Sequence, residues 1–122
     1  MDERRSQRVS EVLREELAEI IGFEMDDPRL VPVSVSDVHV SPDARHARVK
    51  VAVPGGEGEH KEALAALEHA RHYLRRELAS RLTLRITPEL HFEIDRWAEG
   101  SGRVDILLKR AKKTRRRTEN EG

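Results

Sequence analysis

The sequence predicts an α+β protein, a single two-layer domain with its helices on one face of a three-stranded sheet. Two long segments carry apolar residues at helical spacing, and three segments carry them at every second position. The 122 residues are enough for one hydrophobic core. The predicted order is helix, strand, strand, long helix, strand and short helix, which suits this architecture.

The first element is an amphipathic helix over about residues 4–24. Ser6 or Asp2 is a candidate N-cap, because a side-chain oxygen there can accept a free backbone N–H. The helix should end by Asp27-Pro28, since proline disfavours helical conformation in the residue before it. Its apolar stripe consists of Val9, Val12, Leu13, Leu17, Ile20 and Ile21.

A β-hairpin is predicted next. The stretch VPVSVSDVHVS at 31–41 alternates in two phases, and the change of phase predicts a β-bulge near Ser36-Asp37. Ser41-Pro42-Asp43 has turn composition. The second strand alternates apolar with polar residues from Ala47 to Val53.

The second half of the chain begins with a loop, PGGEGEH at 54–60, and a long helix that should start near Glu59. A third strand alternates over 90–95, and a short helix is predicted near 104–111. The domain is thus predicted to span 1–111, with 112–122 as a basic, disordered tail. The leucine stripe of the long helix is Leu64, Leu67, Leu74, Leu78 and Leu82.

Composition excludes several classes of protein. There is no cysteine, so neither a disulfide nor a cysteine nucleophile is possible. No run of 18 apolar residues exists, and the charged N-terminus MDERRSQRV lacks the apolar region of a secretory signal. We expect a cytoplasmic protein that does not contact membranes and needs no cofactor. A monomer is expected, since no apolar stripe is left over.

Charge is concentrated locally although the formal net charge is zero. Residues 69–87 hold five basic side chains and one acidic side chain. Arginine forks match phosphate oxygens, so a nucleic acid is the leading partner. A solvated helix face paired with the acidic first helix, or a docking site for an acidic protein, explains the same pattern. Few aromatic residues are present, which favours contacts with the backbone and shape of folded RNA over base stacking.

Other candidate sites are weaker. His91, Glu93 and Asp95 share one strand face and could bind a metal ion or do acid–base chemistry, as could Asp37 and His39. A solvated strand face is the preferred interpretation, because the opposite face supplies the core. A metal-dependent enzyme built on the first three is therefore the last-ranked alternative. His69 and His72 lie one turn apart among arginines, whose field repels cations. The glycine-rich loop lacks the lysine and the serine or threonine of a P-loop.

Several stretches together resemble ribosome-binding factor A, a family of bacterial assembly factors of the small ribosomal subunit. The resemblance covers about residues 4–108. It rests on RVSEVLREELAEII, DPRL at 27–30, VSPDARHARVKVAV, LRRELASRLTLRITPELHFEID and SGRVDILL.

The resemblance implies a fold similar to a type II KH domain. It further implies binding to the free 30S subunit and its 16S rRNA or precursor, near the 5′-end helix and the neck. Support of late maturation, including 5′-end processing, and indirect association with other assembly factors are implied as well. Family members are not nucleases, so an enzyme is not expected. A general RNA-binding KH-like module without ribosome specificity is the first alternative.

One position departs from the family pattern. The family has an Ala-x-Gly helix–kink–helix, and the matching residues here are Ala70, Arg71 and His72. Histidine removes the conformational freedom that glycine gives, so either a weaker kink or a continuous helix follows. The predicted RNA-binding residues are Ala70, Arg71, His72, Arg75, Arg76, Arg81 and Arg85, and the tail arginines Arg115, Arg116 and Arg117 should add nonspecific attraction.

Overall fold

The computed structural model describes residues 3–96. It contains helix α1 (Glu3–Glu19), strands β1 (Ser34–Val40) and β2 (His46–Ala52), helix α2 (Glu57–Arg81) and strand β3 (Glu89–Ile94). Two helices and a three-stranded mixed sheet confirm the predicted α+β class. The predicted helix near 104–111, the 112–122 tail, the domain boundary between them and Asp2 lie outside the described residues.

The first helix follows the predicted apolar stripe except at Val12, which is 42% exposed, and it changes form at its end. Leu13, Leu17, Ile20 and Ile21 are fully buried. After Glu19 the chain continues as a π-helical turn, Ile20–Glu24. The wider π-helical turn is compatible with burial of the two adjacent isoleucines at this end of the helix.

Ser6 is not the N-cap that the sequence suggested. It lies inside α1 and is buried, and its hydroxyl donates to the Val40 carbonyl at 2.7 Å. Ser10 complements this contact, because its Oγ accepts the Val40 N–H at 3.0 Å and donates to the Ser6 carbonyl at 2.7 Å. Two serines on the buried face of α1 thus bind both backbone groups of one residue at the end of β1.

The hairpin has the predicted bulge. Strands β1 and β2 pair antiparallel, and the register shifts between Val35 and Asp37. The first strand begins at Ser34, later than the alternation from Val31 suggested. A 3₁₀ turn at Pro28–Leu30 precedes it, and Pro32 has no N–H to offer a strand partner.

The third strand lies parallel to β2, and the sheet order is β1-β2-β3. Parallel neighbours need a long crossover, which here is α2. Leu90 on β3 is fully buried, and Phe92 and Ile94 pack at the margin of the core. Both helices contact the sheet, while His46 and Arg48 of β2 and Glu89 and His91 of β3 are exposed on the opposite face.

Helix α2 begins at Glu57, two residues before the predicted start. The Glu59 carboxylate accepts the Gly56 N–H at 2.9 Å. Hydrogen bonds from the backbone N–H groups of Glu59 and Gly56 lower the pKa of Glu59. Gly55 has φ 108°, and a Cβ there would lie 2.8 Å from Glu59 Cγ. Glycine is therefore required at this turn.

Helix α2 is continuous through residues 70–72. The structure thus resolves the alternative that His72 raised, because one helix stands where the family pattern has two. Leu67, Leu74 and Leu78 are fully buried, and Ala63, Ala66 and Ala70 complete the face that packs on the sheet. Leu64 is only partly buried, and Leu82 packs on the core from just beyond the helix. No helix within residues 3–96 has the length and apolarity to cross a membrane.

Candidate RNA-binding surface

The exposed side of the C-terminal half of α2 is strongly basic. Because Ala70, Leu74 and Leu78 face the core, helical spacing turns His72, Arg75 and Arg76 toward solvent, and all three are exposed. They line a shallow groove together with Ala79 and Thr87. The groove lies between the helix and the segment that leads into β3.

Arg75 is held in place by a neutral partner. Its Nε and Nη2 donate to the Thr87 carbonyl at 3.3 and 2.9 Å. A carbonyl fixes the guanidinium without cancelling its positive charge. Arg75 is therefore oriented and still able to attract an anion. No local sequence signal predicts this contact, because any residue at position 87 would supply the same backbone oxygen.

Arg76 is the freest cation of the groove. Among residues 3–96, no hydrogen bond or ion pair engages its guanidinium. Its five N–H donors are available to solvent or to a ligand. Arg75 and Arg76 together give the groove two positive charges that no neighbouring carboxylate in the described chain neutralises.

Arg71 is partly compensated. Its Nη1 lies 3.6 Å from a Glu68 oxygen and 3.9 Å from a Glu89 oxygen. Both distances are long, and exposed pairs of this kind contribute little. Arg71 can turn toward a phosphate at small cost.

Arg81 does not belong with the free cations, although the sequence grouped it with them. Its Nη1 and Nη2 each donate to a Glu24 oxygen at 2.6 Å, and its Nε donates to Glu77 at 3.1 Å. Glu16 is a third acidic neighbour at 3.8 Å. The hydrogen bonds to Glu24, and then those to Glu77, raise the pKa of Arg81. Acidic side chains of α1 and its π-helical turn neutralise this arginine.

Two more predicted residues lie apart from the groove. Ala70 is 9% exposed and packs in the core. Arg85 is exposed and borders a different hollow, one with mainly apolar walls and a second arginine, Arg5.

The candidate metal or catalytic residues on β3 and directly after it do not converge. Glu93 accepts from Arg48 at 2.9 Å, Asp95 accepts from the Ser36 hydroxyl at 2.7 Å, and His91 lies 3.0 Å from His46. Each of the three side chains is directed to a different partner. The structure therefore does not support an enzyme site built from His91, Glu93 and Asp95.

Sequence reasoning also missed a buried histidine. His60, near the start of α2, is 5% exposed, and its Nε2 lies 3.0 Å from the Val53 carbonyl. A carbonyl only accepts, so Nε2 carries the proton. The imidazole ties the first turn of α2 to the end of β2.

Comparison with known proteins gives the family. A profile of the family described as ribosome-binding factor A matches residues 5–108. A ribosome-binding factor A from Solibacter usitatus is 61% identical over 120 residues, 98% of both chains. This chain belongs to the ribosome-binding factor A family. A second family member, from Thermomicrobium roseum, is 45% identical over 116 residues, 95% of this chain and 90% of that protein.

Solved structures of the ribosome-binding factor A family have the same KH-like fold. The crystal structure of ribosome-binding factor A from Thermus thermophilus matches with a TM-score of 0.66 at 32% identity, over 73% of this chain and 94% of that one. A homology model of the Thermus thermophilus factor, fitted into a cryo-electron-microscopy map of its 30S complex, matches with a TM-score of 0.59 at 35% identity. That match covers 72% of this chain and 92% of the fitted one.

Proposed function

We propose that this protein is a cytoplasmic assembly factor that binds free 30S ribosomal subunits and supports late maturation of their 16S rRNA, including processing of the 5′ end. It acts as a monomer, without a cofactor and without catalysis of its own. The Arg75–Arg76 groove carries the proposal, because it presents uncompensated cations on an α2 surface of a ribosome-binding factor. The 30S complex of the Thermus thermophilus relative supports the choice of partner.

The groove and its margins contact rRNA phosphates. Arg76 supplies a free guanidinium, and Arg75 supplies one already oriented by Thr87. Arg71 joins them by leaving its loose pairs with Glu68 and Glu89. His72 lines the same groove, and Arg85 extends the basic surface beyond it. The protein associates with other assembly factors indirectly, because they bind the same subunit or its precursor.

The decisive test reverses the two groove charges. Arg75→Glu with Arg76→Glu should abolish or strongly weaken co-sedimentation with free 30S subunits. Each lost phosphate contact removes about 0.7–0.9 from the salt slope, so the slope of log K against log salt should fall by roughly 1.4–1.8. Affinity is measured over a series of potassium chloride concentrations, with 50S subunits and 70S ribosomes as competing particles.

A charge-matched control is Arg8→Glu with Lys61→Glu. These exposed cations lie on α1 and on the N-terminal half of α2, and neither lines the groove. This variant should keep its 30S affinity. If both double variants lose affinity equally, net charge rather than the groove governs binding. Equal binding of the wild type to 30S subunits, 50S subunits and 70S ribosomes would show only nonspecific affinity for RNA.

The maturation step needs its own test. A bacterial strain lacking its own ribosome-binding factor A should accumulate 16S rRNA with an extended 5′ end, measurable by primer extension. Expression of the wild type should restore the mature end, whereas the groove variant should not. If the groove variant also restored the mature 5′ end, processing would not depend on binding through the groove, and this part of the proposal would be wrong.

A further inference from the structure

Three metal-ligating side chains meet on the outer face of the sheet. His46 and Glu89 are the first residues of β2 and β3 and are register partners in the parallel pair. His91 lies two residues beyond Glu89 and therefore on the same face. All three side chains are exposed, and one ligand atom from each lies within 4.8 Å of the other two.

The spacing of the two imidazoles matches shared coordination. His46 Nδ1 and His91 Nε2 are 3.0 Å apart, and the ring centroids are 5.1 Å apart. A metal ion bound to both nitrogens at about 2.0–2.1 Å would have an N–metal–N angle of roughly 90–97° at that separation. Reaching a tetrahedral angle needs the nitrogens about 0.3–0.4 Å further apart, a small movement for two exposed side chains.

We propose that His46, Glu89 and His91 form a binding site for one divalent transition-metal ion of the zinc class. Two imidazoles with one carboxylate are a ligand set that suits zinc, whereas magnesium and calcium favour oxygen ligands. Water completes the coordination on the solvent side. This site lies on the sheet face away from the helices, and it does not rest on the proposed function.

Metal binding releases no net proton when both imidazoles are neutral beforehand. One N–H then occupies the space between His46 Nδ1 and His91 Nε2. The metal ion takes both lone pairs, so the donating ring gives this proton to water and takes one up from water on its other nitrogen. Each ring then remains neutral, with His46 protonated on Nε2 and His91 on Nδ1. If one ring is charged beforehand, binding releases one proton.

The neighbouring charges leave the site accessible to a cation. Arg48 is the register partner of His91, but its guanidinium is bound to Glu93 at 2.9 Å. Arg71 reaches Glu89 only at 3.9 Å, and an exposed pair at that distance contributes little. Glu89 can therefore leave Arg71 for a metal ion.

The test is a titration of the full chain, prepared without a polyhistidine tag, with Zn²⁺ and with Co²⁺. Calorimetry should give one ion per chain, and Co²⁺ should show visible absorption that Zn²⁺ abolishes. His46→Ala and His91→Ala should each weaken Zn²⁺ binding at least about tenfold. Glu89→Gln should weaken it as well. Imidazole signals of His46 and His91 should shift on Zn²⁺ addition in NMR spectra.

His39→Ala is the matched control, because His39 is an exposed histidine of β1 on the same sheet face. It should bind Zn²⁺ as the wild type does, and circular dichroism should show that every variant is folded. Equal binding by the wild type, His46→Ala and His91→Ala would overturn the proposal. So would equal loss in His39→Ala, or uptake of several ions with no effect on the signals of His46 and His91.

Discussion

At the residue scale, the two serines of α1 show how a polar side chain in an amphipathic pattern can belong to the core. Ser6 and Ser10 fall on the buried face of the helix. Their hydroxyls satisfy the carbonyl and the N–H of Val40, 34 and 30 residues away in sequence. A helical pattern predicts the face but not its partner, so the sequence suggested only a cap for Ser6.

Replacing Ser10 with alanine should destabilise the fold without changing its shape. The substitution leaves the Val40 N–H buried and without its acceptor, which costs about 1–3 kcal/mol. Urea unfolding followed by circular dichroism measures the change in unfolding free energy. Gln7→Ala serves as the control, because Gln7 is an exposed residue of the same helix, and this variant should change stability little. Equal stabilities of Ser10→Ala and the wild type would contradict the assigned bond.

Asp27 gives a prediction about pH. Its carboxylate accepts from the Arg29 side chain at 2.8 Å and from the Arg29 backbone N–H at 3.0 Å. These bonds, the side-chain bond first, hold the pKa of Asp27 below 3.8. A carboxyl with a lowered pKa stabilises the fold above its unfolded pKa, and this contribution disappears as the pH falls through the folded value.

The stability difference between the wild type and Asp27→Asn should therefore be fully present near neutral pH and shrink once the pH drops below 3.8. Urea unfolding across pH measures it, and carboxyl NMR titration measures the Asp27 pKa directly. Arg29→Ala should return that pKa toward 3.8. An Asp27 pKa that is unchanged in Arg29→Ala would show that the arginine is not its cause.

At the element scale, α2 combines three parts that the sequence predicts to different degrees. Its apolar period predicted the buried leucines, and its arginines predicted a basic outer side. The predicted start of α2 was two residues too late. The Glu59 side chain caps the helix at Gly56, so Glu57 and Gly58 are helical although their composition is typical of a loop. The resemblance left the continuity at 70–72 open, and the structure shows one helix there.

Placing the family glycine at position 72 should weaken α2. His72 is exposed in the helix interior, where glycine costs about 1 kcal/mol relative to alanine. His72→Gly should therefore unfold at lower urea concentration than His72→Ala, by that free-energy difference. Helical amide signals around residue 72 would show whether a break forms. Equal stabilities of the two variants would mean that the helix is already interrupted there in solution.

At the scale of the whole molecule, some charged side chains form ion pairs between elements, whereas others form the basic surface of α2. Arg81 joins α2 to α1 and to the π-helical turn through Glu24 and Glu16. These two contacts lie up to 57 residues apart in sequence, so the sequence could not predict them. Local spacing indicated only the pairing of Arg81 with Glu77, four residues earlier on the same helix. The fold class, the bulge and the basic helix follow from local patterns. The bonds of Arg81 to Glu24 and its contact with Glu16 follow only from packing.

Arg81→Gln should separate the arginine that stabilises the fold from those that bind the subunit. It removes the cation that Glu24, Glu77 and Glu16 share, so the melting temperature should fall. Affinity for 30S subunits should stay at the wild-type level when measured well below melting. Arg76→Gln should show the reverse, with an unchanged melting temperature and weaker binding. A loss of subunit affinity in Arg81→Gln at full folding would restore Arg81 to the interface.

The bonds of Ser6 and Ser10 to Val40 also affect the free edge of the sheet. Strand β1 is an edge of the sheet, and a free edge invites pairing with a strand from another chain. At Val40 both backbone groups that would accept such a strand are already bonded to α1. An incoming strand would have to displace the helix at this point. The first helix therefore protects one end of an open sheet from intermolecular β-pairing.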